Sequence, residues 1–327
     1  MLLYRLLNTH SQVSDVIQSR HTVKRTRLVE VSDEILANLK HNIAQAASFP
    51  RICFTFDLWA DKYKQQNFMS ITAHYFDVKG ILQSPCLAVP EFETNKKKSI
   101  ENIRAKIDGV LETVFGSAEI AQTVFLNSTS VTDGGSNVKT VFPERYECQC
   151  HTFNLIVSHL LEDKDVKDQC SNVLETLETL KKLVQYMKRS GLNNKLSKSL
   201  KQSVPTRWNS TLNMLVSYQN VSREIHDLLV SIKQQTRLYG IEETIINSLT
   251  ELLLPFEEHT KLLSRAQSPT FHLISMVHRK IFKHIAKIKE ETNSTLPDIF
   301  INKCEVLCNR YLNTRIIHYC ATLLIPV

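Results

Sequence analysis

Two aspartates carry the clearest chemistry in this chain. Asp57 sits near the end of the stretch Ile52-Cys-Phe-Thr-Phe-Asp-Leu58, in which Ile52, Phe54, Phe56 and Leu58 share one face and Cys53, Thr55 and Asp57 the other. An ionised carboxylate at such a place is costly unless water, a partner or a metal meets it. Asp133 follows a weaker strand signal, Val124–Thr132, and precedes Gly134-Gly135, a pair suited to a tight strand-to-helix turn. If the two strands are neighbours, both carboxylates meet at one end of a sheet. Two acids with open coordination positions suit Mg²⁺ or Mn²⁺, which take hard oxygen ligands. A pair of such ions about 3.5–4 Å apart is the arrangement used in phosphodiester displacement. The competing reading of Asp57 is a solvated strand end, and any α/β domain offers acid pairs of this kind.

Cys148-Gln-Cys150-His151 holds a C-x₂-H spacing, Cys148 to His151, which is half of a zinc site, since a closed site needs four ligands. Its alternative is a polar entry to a helix with buried thiols. Residues 181 to 207 contain eight Lys and Arg and no acid, with Lys195, Lys198 and Lys201 inside the run and Arg207-Trp208 at its end. A tryptophan beside cations can stack on an unpaired base while the cations hold phosphate. The same residue can instead plug the core of a helical bundle. A second acid-free run, 278 to 289, adds five Lys and Arg and two His. Either run alone reads as a solvated face; two of them in one chain point to a polyanion partner.

The elements that must position these residues change character near residue 160. Before it, period-two alternation dominates: 52–58, then 68–76 with Met69, Ile71, Ala73 and Tyr75 on one face, then Cys86-Leu-Ala-Val89 after a turn at Val78-Lys-Gly80. Ile100, Ile103, Ile107, Val110, Leu111 and Val114 make a helical stripe that Gly116 stops. The weak strand 124–132 and a helix over 152–161 complete a mixed α/β order. After residue 160 the period is helical. Val173, Leu177, Leu180, Val184 and Met187 predict a bundle helix, and 191–204 reads as a basic loop. Asn209 or Ser210 is the expected cap of a helix reaching Ile232. Further helices are predicted at 241–266, where Pro255 should bend or divide the chain, at 271–291 and at 298–312.

Composition sets the class. The chain has 327 residues, 43% apolar and 22% charged, with only 7 Gly and 9 Pro, which excludes disordered, collagen-like and all-β sandwich chains. No apolar run reaches the roughly 18 residues of a membrane span, and the opening Met1-Leu-Leu-Tyr-Arg-Leu-Leu7 is too short and interrupted for a signal peptide. The eight cysteines are then expected to be free, buried thiols of a reducing compartment.

Taken together, the blocks resemble those of hAT-superfamily transposases, the Hermes-like branch above all. The matching residues are Phe54-Thr-Phe-Asp57-Leu-Trp59-Ala-Asp61 with Asn67 to Tyr75, Thr132-Asp133-Gly-Gly-Ser-Asn137, Cys148-Gln-Cys-His151-Thr-Phe-Asn154-Leu155 and Val204-Pro-Thr-Arg207-Trp208-Asn209-Ser210, with weaker likeness at Leu254–Thr270 and Ala321–Pro326. The resemblance implies a helical N-terminal segment at 1–48, an RNase H-like mixed-sheet core beginning at 49–162 and a large helical insertion domain over 163–327. It implies nuclear localisation, DNA transposition by metal-dependent strand cleavage and transfer, and homo-oligomers of the full-length protein. Asp57 and Asp133 become the Mg²⁺ or Mn²⁺ ligands, and His151, Arg207 and Trp208 lie by the flanking DNA with Trp208 on an extruded base. On the same resemblance the chain is expected to be truncated, lacking a BED zinc finger, the third catalytic acid and the dimerisation segment. Ile325 stands where the family has Asp. Two readings remain at this point: a transposase core left catalytically incomplete, and a domesticated DNA- or protein-binding module without catalysis.

Overall fold

The computed structural model describes residues 23–47, 52–61, 63, 66–92, 99–135, 138–204, 208–265, 267–290 and 295–324. The chain divides into two compact units, Met1–Tyr146 and Glu147–Val327.

The first unit is a mixed sheet with helices. After helix α1 (Leu28–Ala47) come β1 (Cys53–Asp61), β2 (Gln66–Phe76), β3 (Leu82–Gln83), β4 (Cys86–Ala88) and β5 (Glu91–Phe92). Helices α2 (Ile100–Phe115) and α3 (Ala118–Asn127) then lead to β6 (Thr129–Thr132) and β7 (Glu144–Glu147). The strand order is β3-β2-β1-β6-β7, with β4 and β5 also paired to β2. β1 is antiparallel to β2 and parallel to β6. The period-two faces form as expected: Phe54, Phe56, Met69, Ile71, Ala73 and Tyr75 are buried, and Ile103, Ile107, Leu111 and Val114 of α2 close over them. Burying side chains of this size contributes roughly 1.5–3 kcal/mol each. Ser99 caps α2 by accepting from the Asn102 amide, and Gly116 ends it at φ 78°, a left-handed conformation open to glycine.

The strand expected over Val124–Thr132 starts only at Thr129. Ser117 accepts from the Ile120 amide and starts a helix, so Val124 to Asn127 are helical, with Ala121 and Phe125 turned to the core. β7 has four residues, too few for a period to show.

The second unit is helical: α4 (Gln149–Glu162), α5 (Lys164–Gln169), α6 (Ser171–Arg189), α7 (Trp208–Gln219), α8 (Ser222–Ser231), α9 (Glu243–Leu263), α10 (Ile274–Glu290), α11 (Asp298–Tyr311) and α12 (Ile316–Leu324). The α6 stripe Val173, Leu177, Leu180, Val184 and Met187 is buried in one core with Phe153, Ile156, Val157 and Leu160 of α4. The helix expected from about 209 to 232 is two helices. Asn220 closes the first by donating from its side chain to the Val216 carbonyl, a local bond that competes with helix continuation. Its N-terminal cap is neither Asn209 nor Ser210, which lie in its first turn; the Asn154 Oδ1 accepts from the Trp208 amide at 3.2 Å.

Pro255 does not divide α9, which runs unbroken through it. A proline leaves the carbonyl four residues earlier without its amide. That carbonyl, Glu251 O, instead accepts from His284 Nε2 of α10 at 3.0 Å. None of the eight cysteines is in a disulfide, but only Cys170, Cys304 and Cys308 are buried; Cys86 and Cys320 are exposed, so burial does not hold for the whole set. Among the described residues no helix is long and apolar enough to cross a membrane.

Candidate functional site

The register of β1 against β6 decides where the two aspartates go. The parallel pairs run Cys53 with Thr129, Phe54 with Ser130, Thr55 with Val131 and Phe56 with Thr132. The next positions along the two strands are Asp57 and Asp133. Neighbouring strands lie about 4.8 Å apart, so the backbones at these two positions adjoin where β6 ends, beside the middle of β1. Asp57 is exposed and Asp133 half-buried, which leaves water free to complete a coordination sphere. Two carboxylates open to water are a donor set that fits a hard divalent cation.

The Asp133 turn is held locally. Its Oδ1 accepts from the Gly135 amide at 3.2 Å. A β-carbon at Gly135 would come within 3.2 Å of that oxygen and 3.3 Å of Val138 Cγ2, so a larger residue there would push one of these side chains aside by a few tenths of an ångström. Arg145 of β7 reaches across as well. Its Nη2 donates to the Asp133 carbonyl at 2.9 Å and its Nε to Thr132 Oγ1 at 2.6 Å. Sequence reading passed over Arg145, because one Arg in a four-residue strand carries no pattern.

In the second unit, His151 lies half-buried in the first turn of α4, next to Cys148 and Cys150. The half zinc site gains no complement: among the described residues no three His, Cys, Asp or Glu side chains form a metal-holding group. A hydrogen bond with Cys148 and burial push the Cys150 thiol well above its ordinary range. Cys150 Sγ donates to the Thr260 carbonyl, a contact suited to a structural thiol.

Arg207 lies outside the described residues. Trp208 is 6% exposed and packs edge-on against Phe256, with ring centroids 6.3 Å apart at 78°. Its indole has no open face for a base, so the packing favours the bundle-core role over base stacking. Lys195, Lys198 and Lys201 are exposed on the segment after α6. That segment is well fixed. Asn193 Oδ1 accepts from the Leu200 amide, Leu200 is fully buried, and the Lys201 amide donates to Ser217 Oγ. Glu224 is drawn onto Ser197, accepting from its amide at 2.7 Å and from its hydroxyl, which lowers the Glu224 pKa and partly satisfies its charge.

A buried histidine links α4 to α10 and the segment before α12. His278 is 2% exposed, with Nε2 2.8 Å from Gln149 Oε1 and Nδ1 2.8 Å from Thr314 Oγ1. The Gln149 oxygen can only accept, so Nε2 carries the proton and the Thr314 hydroxyl donates to Nδ1. Burial first, and the neighbouring His318 second, push the imidazole down to about 4. Unfolded, a histidine titrates near 6.5, so between those values the unfolded chain binds the extra proton. Stability of this unit is therefore expected to fall as pH drops from about 6.5 toward 4. This group contributes a total loss on the order of 3 kcal/mol. His318, lowered by burial and by Arg315, acts in the same direction. Urea unfolding followed by circular dichroism at a series of pH values checks this. His278→Gln should flatten the dependence by about one proton, and an unchanged slope would contradict it.

No family model matches the chain. Among curated proteins, it is 28% identical over 269 residues to the Hobo transposase of a Drosophila melanogaster transposable element, covering 79% of this chain and 38% of that protein. It is 22% identical over 312 residues to a candidate transcriptional regulator, tpeD, of Talaromyces stipitatus, covering 82% and 35%. A third relative is human zinc finger BED domain-containing protein 4, 22% identical over 270 residues, covering 78% and 22%. The chain thus spans well under half the length of each of these relatives. With these matches over most of its length, the chain is a relative of the hAT-like transposases.

Proposed function

We propose that this chain is the sheet and helical portion of a nuclear, DNA-binding protein of transposase type. In this reading Asp57 and Asp133 hold a Mg²⁺ or Mn²⁺ ion, and the Lys195–Lys201 segment contacts the phosphate backbone. The observation that supports it is the parallel register ending at Phe56 and Thr132, after which Asp57 and Asp133 are the next residues on the two chains. Strand order β3-β2-β1-β6-β7, with β1 parallel to β6 alone, supports an RNase H-like core. The metal, when bound, would polarise a phosphodiester and activate an attacking oxygen. The chain's own part is to bring two carboxylates to one strand end, leave them open to water, and hold DNA against a basic surface.

A second reading, a transposon-derived regulator that binds DNA without cutting it, is favoured by one observation. Among the described residues no third acid joins the pair. The relative tpeD is itself named for transcriptional regulation. Both readings need DNA binding, and phosphate contacts make it salt-dependent.

Binding of a labelled duplex is therefore expected to weaken steeply with salt. Replacing Lys195, Lys198 and Lys201 together by alanine should reduce the log–log slope by roughly 3 × 0.9. An unchanged slope in the triple variant would remove this segment from the interface. Salt-independent binding by the unaltered chain would sink the DNA reading itself.

A further inference from the structure

We infer that Arg145 is the positioning residue that sets Asp133 beside Asp57, an inference that rests on reading those two acids as the metal pair. The need for such a residue is visible in the sequence. Asp133 is the first residue past β6 and is followed by Gly134 and Gly135, so the chain there carries little side-chain bulk to fix it. Its own bond to the Gly135 amide orders the carboxylate relative to the turn. It does not fix the turn relative to the sheet.

Arg145 supplies that second link. The guanidinium forks onto two acceptors on adjacent residues, Thr132 Oγ1 through Nε and the Asp133 carbonyl through Nη2. The Thr132 hydroxyl in turn donates to the same Asp133 carbonyl at 2.9 Å. Guanidinium, hydroxyl and carbonyl close a three-membered ring of hydrogen bonds around the last residue of β6 and the first of the turn. Thr132 is 1% exposed and Arg145 half-buried, so these charge-assisted bonds are shielded from water. On the far side, Ser130 Oγ donates to the Glu144 carbonyl, so the strand bearing Arg145 is itself tied to β6. The fork is specific to arginine, because a lysine ammonium is a point donor and does not match two acceptors in one plane.

The sign of the effect separates this role from a plain charge. A cation close to the pair repels a metal ion, so charge alone predicts that Arg145→Ala binds Mn²⁺ more tightly. Positioning predicts weaker binding, by the roughly 10–100-fold that loss of a partner behind a metal ligand costs. The experiment is a Mn²⁺ titration of the full chain by electron paramagnetic resonance, for the unaltered protein, Arg145→Ala, Arg145→Lys, Asp57→Asn and Asp133→Asn. The expected result is weakened binding in both Arg145 variants, with Lys no better than partly restored. Tighter binding in Arg145→Ala, or full affinity in Arg145→Lys, overturns the clamp.

A readout without metal accompanies it. In the metal-free chain, amide hydrogen exchange at Gly135 should rise at least about tenfold in Arg145→Ala, while the Phe56 and Ile71 amides keep their protection. Unchanged exchange at Gly135 overturns the inference whatever the metal does. If the unaltered chain binds no Mn²⁺, or the two Asp→Asn variants bind it as well as the unaltered chain, the metal pair falls. Exchange at Gly135 then still shows whether Arg145 holds the turn.

Discussion

Replacing Asp57 and Asp133 together by asparagine is expected to abolish Mn²⁺ binding to this chain, and either change alone to lower it more than a hundredfold. Asp57 in β1 and Asp133 just past β6 follow the last registered pair, and Mg²⁺ or Mn²⁺ bound through so few protein oxygens keeps most of its waters. Removing one of two anionic ligands costs more than losing a residue that only orients a ligand, which is itself a 10–100-fold effect. Asparagine has nearly the same shape as aspartate, and Asp57 is exposed opposite Ser70 in the β1–β2 ladder. The fold should therefore hold, and relief of like-charge repulsion should leave the thermal midpoint level or slightly raised.

The same protein, mixed with duplex DNA and either metal, is expected to leave the duplex uncut. In-line displacement uses metals on both the attacking and the leaving oxygen, and groups that act as a unit fail together. Among the described residues no three His, Cys, Asp or Glu side chains form a group that could hold a metal ion. A nicking assay decides the matter. Cleavage by the unaltered chain that vanishes in both variants would show that a further ligand within the chain completes the site. Mn²⁺ binding that survives in the double variant would remove the pair from metal chemistry.

Much of the sheet was legible because its signals are local. Phe54 and Phe56, or Met69, Ile71, Ala73 and Tyr75, show their buried face by alternation alone, and the core forms on those faces. The neighbouring placement of Asp57 and Asp133 needed one further fact, that β6 joins β1 directly and in parallel. What stayed hidden depends on partners far along the chain. Pro255 reads as a break, yet the carbonyl it strands is taken up by His284, 33 residues away. Trp208 reads as the end of a basic run, yet its amide is capped by Asn154, 54 residues away. Arg145 leaves no periodic trace, and the two residues it grips lie 13 and 12 positions earlier. Such pairings are properties of the packed core, and no window of sequence contains both halves.

Trp208 tests that distinction most sharply. Trp208→Ala is expected to destabilise the helical unit by about 3–5 kcal/mol, the range for truncating a large buried aromatic. The indole is 6% exposed, meets Phe256 edge-on and starts α7 from within the core that also holds Leu212, Leu215 and Phe153. Losing it removes apolar burial and an aromatic pair, and leaves a cavity that rigid helices cannot close. Trp208→Phe keeps most of the buried area and the edge-on contact, so its cost should be well under half as large. A base-stacking tryptophan behaves differently. Its loss takes roughly 1–3 kcal/mol from binding to unpaired DNA, leaves unfolding nearly untouched, and phenylalanine can replace it in part. Urea unfolding and anisotropy with a single-stranded oligonucleotide, run on both variants, separate the two. A core residue moves the unfolding midpoint and leaves the affinity of the folded fraction unchanged. The opposite pattern, a stable variant with lost affinity for unpaired bases, would mean that α7 turns this side chain outward when DNA is present, against the packing seen without it.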